Sequence, residues 1–274
     1  MAPLRDQAEL FRSLHVKGRP LVLPNAWDAA SARVVAEAGA RAIATTSAGV
    51  AWSLGAADGD HLRRDEALAA IARIAAAVDL PVTADIERGY APDADGVAET
   101  VRGVLEAGAV GINLEDSLRP VHEQAERIAA ARGAADGAGV PLFVNARIDT
   151  HRLPPGDRAE WMKETLVRAY AYVAAGADGI FVLGALDAEA VGVLADSVRV
   201  PVNVSAGPGS LPVAALAAAG AGRVSAGSAI AEAAYGLAAR AARELLDQGT
   251  TSALEGGLGY QELNDLLLGA DSAR

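Results

Sequence analysis

The chain contains no cysteine in 274 residues. That removes thiolate nucleophiles, disulfides, Cys-ligated zinc and iron–sulfur clusters together. Lysine is almost as scarce: Lys17 and Lys163 are the only two among 24 basic residues, which leaves Schiff-base chemistry two candidates. Aromatic residues make up 4%, so alanine, valine, leucine and isoleucine must fill the core. The net charge of −11 gives no footing on nucleic acid or anionic membranes. No apolar run reaches membrane-spanning length, and the opening MAPLRDQAEL lacks the apolar stretch of a signal peptide. The composition reads as that of a cytoplasmic protein.

Two punctuation patterns do recur. Prolines at 20, 81, 141 and 201 each open a short apolar run, and the triplet Ala-Gly-Ala at Gly39, Gly108, Gly176 and Gly220 precedes another. The two interleave strictly. Proline is tolerated at the first residue of a strand, and glycine supplies the left-handed residue that ends a helix. Eight strands follow, at about 20–25, 41–46, 81–86, 111–115, 141–147, 178–183, 201–205 and 222–226. Helical stretches run between them, for example at 28–38, 65–78, 95–107, 121–136, 157–175 and 211–219. Alternation of this kind makes βαβ units and a parallel sheet, and eight units make an α/β fold of the (β/α)8 TIM-barrel type. An open doubly wound sheet is the alternative, but no G-x-G-x-x-G follows the first strand. We expect one domain over 1–274, with the barrel at about 18–230 and extra C-terminal helices at about 228–270.

In such barrels chemistry sits where strands end. Polar residues collect there: Thr46, Ser47, Ala48 and Gly49 after the second strand, with Asp58 in the loop beyond; Asp85 and Glu87 after the third; Asn113 and Glu115 on the fourth; Asn145 and Arg147 on the fifth; Asn203 on the seventh. The sixth, Gly179 to Gly184, is apolar to its end. Asp85 and Glu87 share a strand face, and Glu115 lies on the adjacent strand. Carboxylates converging on one mouth repel each other, and a hard divalent cation relieves that. Mg²⁺ needs one or two direct carboxylates and keeps its waters, with Mn²⁺ as the substitute; metal ligands are expected at Asp85, Glu87 and Glu115. Arg147 offers a fork to an anion, and the Ser47–Gly49 turn offers backbone N–H groups. A small carboxylate chelating the metal fits best. Asp and Asn at strand ends also cap helices. Asp116 and Asp149 are expected to orient neighbours. His15 and His122 are expected on the surface, His61 and His151 in mouth loops. The glycine-rich turns at 205–210 and 225–228 occupy a phosphate-gripping place, with Arg223 the one basic residue near them.

The segments TTSAGVAWSLGAADG (45–59), TADIERGYAPD (83–93), GINLED (111–116) and NARID (145–149) resemble the isocitrate lyase / phosphoenolpyruvate mutase superfamily. The resemblance runs from about residue 10 to 240. It implies a barrel whose last helix is exchanged between subunits of a homodimer or homotetramer. It implies Mg²⁺ held by Asp85, with Glu87, Glu115 and Asp58 acting largely through water, and a carboxylate held by Ser47–Gly49 and Arg147. It implies an enolate or aci-carboxylate formed at a pyruvate-like or succinate-like unit. The departures are specific. Lyases carry a Lys-Lys-Cys-Gly-His-like segment after the fourth strand, where this chain reads Glu115-Asp-Ser-Leu-Arg-Pro-Val-His122. The mutases' Lys and Asn-Ser on that loop are missing too. The family's Asp-x-Asp-x-Gly-Tyr-Gly is Asp85-Ile-Glu87-Arg-Gly-Tyr-Ala91 here.

Three functions remain. The first is a Mg²⁺-dependent carbon–carbon lyase acting on a 2-oxo or 2-hydroxy di- or tricarboxylic acid, with Asp58, Arg147 and Glu115 catalytic. The second is a phosphonopyruvate hydrolase or mutase cleaving a P–C bond. The third is a non-catalytic binder of an acid such as oxaloacetate or 2-oxoglutarate.

Overall fold

The computed structural model describes residues 3–154 and 156–269. The expected domain of 1–274 extends beyond them at both ends, and its helical tail to 270 by one residue. In chain order the elements are α1 (Leu4–Ser13), β1 (Leu21–Leu23), β2 (Asn25–Ala26), α2 (Ala29–Glu37), β3 (Ile43–Thr45), α3 (Ser47–Ser53) and α4 (Arg64–Ala76). Then come β4 (Val82–Asp85), α5 (Ala94–Glu106), β5 (Gly111–Glu115), α6 (Val121–Gly137), β6 (Phe143–Ile148) and α7 (Arg158–Ala174). The chain ends with β7 (Gly179–Val182), α8 (Ala188–Ser197), β8 (Val202–Ser205), α9 (Val213–Ala218), β9 (Arg223–Ser225), α10 (Ala229–Gln248) and α11 (Tyr260–Leu268).

All strand pairs are parallel, in the order β1-β9-β8-β7-β6-β5-β4-β3-β2. The first expected strand is divided, because Pro24 has no N–H to give a ladder. Its first half pairs with β9 and its second with β3, so the two pieces close an eight-unit barrel. The four Ala-Gly-Ala glycines stand at φ 94°, 90°, 106° and 100° just past α2, α5, α7 and α9, as helix-ending residues do. Asp28, Asp93, Asp157 and Asp187 accept first-turn N–H groups of the helices that follow them.

Side chains alternate along each strand. Val82 and Ala84, Ile112 and Leu114, Val144 and Ala146, Ile180 and Val182 face the helical shell and form the main core. Facing inward, Leu21, Leu23, Ala44 and Phe143 form a second cluster with Ala8, Phe11 and Leu14, so α1 plugs the N-terminal end of the barrel. Gly111 is needed there: a Cβ would lie 2.8 Å from the Phe11 ring and 2.8 Å from Thr83 Oγ1. This plug overturns the surface placement of His15. Its ring stacks on Phe143 at 4.0 Å, Nδ1 meets Phe11 O at 2.8 Å, and burial drives its pKa down to about 3. His122 is exposed as expected. Among the described residues no helix is long and apolar enough to cross a membrane.

Candidate active site

The C-terminal ends of the strands carry the strain of the molecule. Asp60, Glu87, Tyr90, Ser117 and Leu118 are the described non-glycine residues with positive φ, between 45° and 61°, and all follow β3, β4 or β5. Backbone held in this sparsely populated region clusters at functional sites.

The 47–49 segment is not a turn. It is the first turn of α3, with Thr46 at the N-cap making no side-chain capping bond. Helix starts leave N–H groups without intrahelical partners, which is where a carboxylate binds. Gly49 is required by packing: a Cβ would come within 2.7 Å of Trp27 Cβ and 2.8 Å of Thr46 Cγ2. The segment is locked to its neighbours. Asn25 Nδ2 donates to Thr45 O (2.8 Å), and Thr45 Oγ1 accepts the Asp85 N–H (2.8 Å).

Arg147 is the hub of the mouth. Its Nη1 lies 2.8 Å from Glu115 Oε2, and its Nε donates to Asp149 Oδ1 at 2.8 Å. Ser117 Oγ donates to Glu115 Oε1 at 2.7 Å. Asp149 is fully buried and also accepts the Ser117 N–H (3.1 Å). Asp116, likewise buried, accepts the Asp149 N–H (3.1 Å), Arg168 Nη1 (3.0 Å) and Tyr172 OH (2.8 Å). Asp116 and Asp149 therefore orient neighbours, as expected.

The carboxyls sit in a poorly solvated setting. Burial pushes Glu115 up to about 7, opposed by Arg147 and reinforced by Asp149 and Asp85. Burial pushes Glu87 up to about 7 as well, with Asp58, Asp60 and Asp85 adding to it. Asp85 is raised by burial, and Arg147 pulls it back. Three mutually repelling carboxyls with oxygen-only chemistry fit a hard divalent cation. They do not form a closed cage: among the described residues no three His, Asp or Glu side chains are grouped to hold a metal. Asp85, Glu87 and Glu115 are the carboxyls that would hold such a cation.

Of the expected site residues, Asp85, Glu115 and Arg147 come together. Glu87 is drawn aside: its carboxylate accepts the Asp60 N–H and Tyr90 OH (3.1 Å), while Arg88 holds Asp60 at 2.6 Å. Asp58 stands on the exposed loop. Asn145 and Asn203 lie beneath the mouth, each 1% exposed. Asn145 Nδ2 donates to Asn113 Oδ1 (2.9 Å), and Ser225 Oγ donates to Asn203 Oδ1 (3.2 Å). Arg223 is not beside the glycine-rich turns. It is fully buried inside the barrel, with Nη2 on Asn113 Oδ1 at 3.3 Å. Sequence reasoning missed this inward placement; the i, i+2 alternation of Arg223 with Ser225, in register with Asn203 and Ser205, carries the signal.

A family model for phosphoenolpyruvate phosphomutase matches residues 11–246. The chain is 38% identical to an uncharacterised protein of Mycobacterium tuberculosis, over 86% of this chain and 89% of that one. It is 31% identical to the 2-methylisocitrate lyase of Escherichia coli, over 73% of this chain and 69% of that enzyme. A solved Burkholderia cenocepacia structure described as a phosphonomutase superposes with a TM-score of 0.84 at 42% identity, covering 90% of this chain and all of that one.

Proposed function

Because the chain belongs to the phosphoenolpyruvate phosphomutase family, we propose that it is a carbon–carbon lyase acting on a small 2-oxo or 2-hydroxy di- or tricarboxylic acid. The observation that carries this is the Arg147 clamp, a guanidinium fixed by Asp149 beside Glu115 and Asp85. Arg147 and the N–H groups of Ser47, Ala48 and Gly49 bind the substrate carboxylate, and Thr46 sets the entry to that helix. Asp149 keeps the guanidinium plane in place. Glu115, held near neutrality and bonded to Ser117 Oγ, takes up or returns the proton that bond cleavage moves. Asp58, on the exposed loop beyond α3, is near enough to act on Asp85 and is the second candidate for proton transfer. Asp85, with Glu115 and Glu87 near it, would hold Mg²⁺ or Mn²⁺, which would supply neutralisation of the negative charge that develops on the substrate oxygen. An enolate is the substrate fragment left behind.

The test is turnover of a panel of such acids by the purified protein with Mg²⁺, read as pyruvate, succinate or glyoxylate. Arg147→Met should abolish it. The 42% identity to a structure described as a phosphonomutase favours P–C chemistry as the second reading. Phosphate released from phosphonopyruvate, with no carbon–carbon product, would replace the first reading by that one. Calorimetric binding of oxaloacetate or 2-oxoglutarate without turnover would leave a binding protein.

The C-terminal helices support self-association into a homodimer or homotetramer. Of the 20 residues of α10, Ala231 alone is buried, and Leu246 and Tyr260 are 83% and 86% exposed. Monomeric proteins rarely leave such patches open. Light scattering should give a multiple of 27.7 kDa.

A further inference from the structure

We propose that Arg88 and Asp60 are positioning residues, which latch the 57–61 loop to the turn after β4 and so hold Asp58 over the mouth. This deepens the lyase reading above and rests on it.

The loop is free at every point but one. It runs between Ala56, whose N–H donates to Ala51 O at 2.9 Å, and the buried Leu62. Ala57, Asp58, Gly59 and His61 are exposed, whereas Asp60 turns inward with its side chain 21% exposed. Among the described residues, the hydrogen bonds of 57–61 all go to Glu87 and Arg88. The Asp60 N–H donates to Glu87 Oε2, Arg88 Nε donates to Asp60 Oδ2 at 2.6 Å, and Arg88 Nη2 reaches Gly59 O at 3.4 Å. Gly55 and Gly59 stand at φ 78° and 99°, and a Cβ on either would meet nothing within 4 Å. They serve the backbone path and not the packing, as hinge points do.

The other half of the latch is built into the barrel. Gly89 O accepts Thr100 Oγ1 at 2.7 Å, Arg88 O and Ala91 O accept Arg127 Nη2 at 2.6 and 2.7 Å, and Glu87 O accepts the Glu115 N–H at 2.9 Å. The turn is thereby fixed to α5, α6 and β5. Positive φ falls on both halves, at Asp60 (61°), Glu87 (49°) and Tyr90 (48°). Such conformations persist where the surroundings over-determine them, and on the loop side the bonds to Glu87 and Arg88 are what does so. Asp58 lies two residues from the latch, and its charge bears on Asp85 and Glu87, raising both. Its place over the mouth is set through Asp60. Arg88 is 40% exposed, and a half-exposed ion pair adds little stability, so the latch should read in rate rather than in Tm.

The experiment is kinetic. A misplacement of about 1 Å lowers a rate about a hundredfold, so Arg88→Met should lower kcat by that order and leave KM within about twofold. Arg88→Lys keeps one charged bond to Asp60 and should recover most of the loss. Asp60→Asn keeps a residue that tolerates left-handed backbone and removes the ion pair, so it should match Arg88→Met. On an Asp58→Asn background Arg88→Met should have no further effect, because its effect passes through Asp58. An unchanged kcat in Arg88→Met, or a loss that persists in full beside Asp58→Asn, overturns the positioning role while leaving the lyase reading intact. If no acid turns over, the lyase reading falls, and hydrogen exchange of the Asp60 amide decides the latch: exchange about tenfold faster in Arg88→Met upholds it, and unchanged exchange overturns it.

Discussion

Asp116→Ala should be among the most damaging single changes outside the apolar core. Asp116 is fully buried between the ends of β5 and β6. Its Oδ1 accepts the N–H groups of Leu118 (3.0 Å) and Asp149 (3.1 Å), and its Oδ2 accepts Arg168 Nη1 (3.0 Å) and Tyr172 OH (2.8 Å). Breaking a buried ion pair by removing one partner costs about 3–5 kcal/mol, because the surviving charge is stranded. Arg168 is not wholly stranded here, since Glu164 stays 2.8 Å from its Nε and Arg119 O accepts its Nη1 at 2.9 Å. The lower end, about 3 kcal/mol, is therefore expected. At about 2–4 °C per kcal/mol for a chain of this size, Tm should fall by about 6–12 °C in a circular-dichroism melt. The double variant Asp116→Ala/Arg168→Met should recover part of that, because it removes the unpaired charge. Simple additivity of the two single losses, or a fall below about 2 °C, would refute the account.

Gly49→Ala places a methyl where Trp27 and Thr46 already stand, so it should cost about 1–3 kcal/mol and raise KM more than it lowers kcat. Stability should also depend on pH in a signed way. Glu87 and Glu115, ordinarily at 4.5, stand at about 7, so their stabilisation is complete below pH 4.5 and lost as pH rises through 7. His15, ordinarily at 6.5 and here at about 3, stabilises above 6.5 and loses that as pH falls toward 3. Above about pH 4.5 the two glutamates outweigh the one histidine, so the metal-free protein should have its highest Tm near pH 4.5 and fall toward pH 7, with that fall flattened in Glu115→Gln; a Tm still climbing from about pH 5 to 8 contradicts this. Arg223→Met removes a buried charge that has no carboxylate within bonding distance among the described residues, so Tm should hold or rise; a fall beyond about 5 °C would show the guanidinium to be well satisfied.

The barrel was legible because its signals are local and repeated. Each Ala-Gly-Ala triplet ends one helix through its own glycine, and each strand-opening proline marks one strand start, so neither needs tertiary information. The same locality explains the errors. Ser47–Gly49 is glycine-bearing and short, which reads as a turn; it is helical because Thr46 and the 50–53 segment continue it, with Val50 and Ala51 buried beneath. Pro24 lies inside one apolar run and gives no sign that the run pairs with two different partners. His15 looks exposed because Arg12, Lys17 and Arg19 surround it in sequence. Its burial depends on Phe143, more than a hundred residues away. Arg147 and Glu115 were legible as strand-end residues, and their partnership follows from register, since Glu115 pairs with Arg147 across β5 and β6.

The polar barrel interior follows from the same register and explains the charge pattern of the mouth. Barrels usually fill this space with branched apolar residues. Here Asn113, Asn145, Asn203 and Arg223 occupy it, all at most 4% exposed. Arg223 Nε and Nη1, Asn145 Oδ1 and Asn203 Nδ2 find no protein partner among the described residues. Such groups are costly unless something offsets them. The compensation comes from above. Burial brings Arg223 down to about 9, which leaves it charged at neutral pH, and Asp85 is the charge that holds it up. Asp85 in turn feels Arg147 on one side and the acids Asp58 and Asp149 on the other. Two guanidiniums, one at the mouth and one below it, thus bracket a carboxyl that burial pushes toward its neutral form. Their separate settings divide the work: Arg147, partly open and fork-shaped, can exchange Glu115 for a substrate carboxylate, whereas Arg223, sealed in, can only supply field. Burial still holds Asp85 above its ordinary value despite Arg147, so a cation entering the mouth would favour its ionised form while Arg147 stays available to an anion beside it.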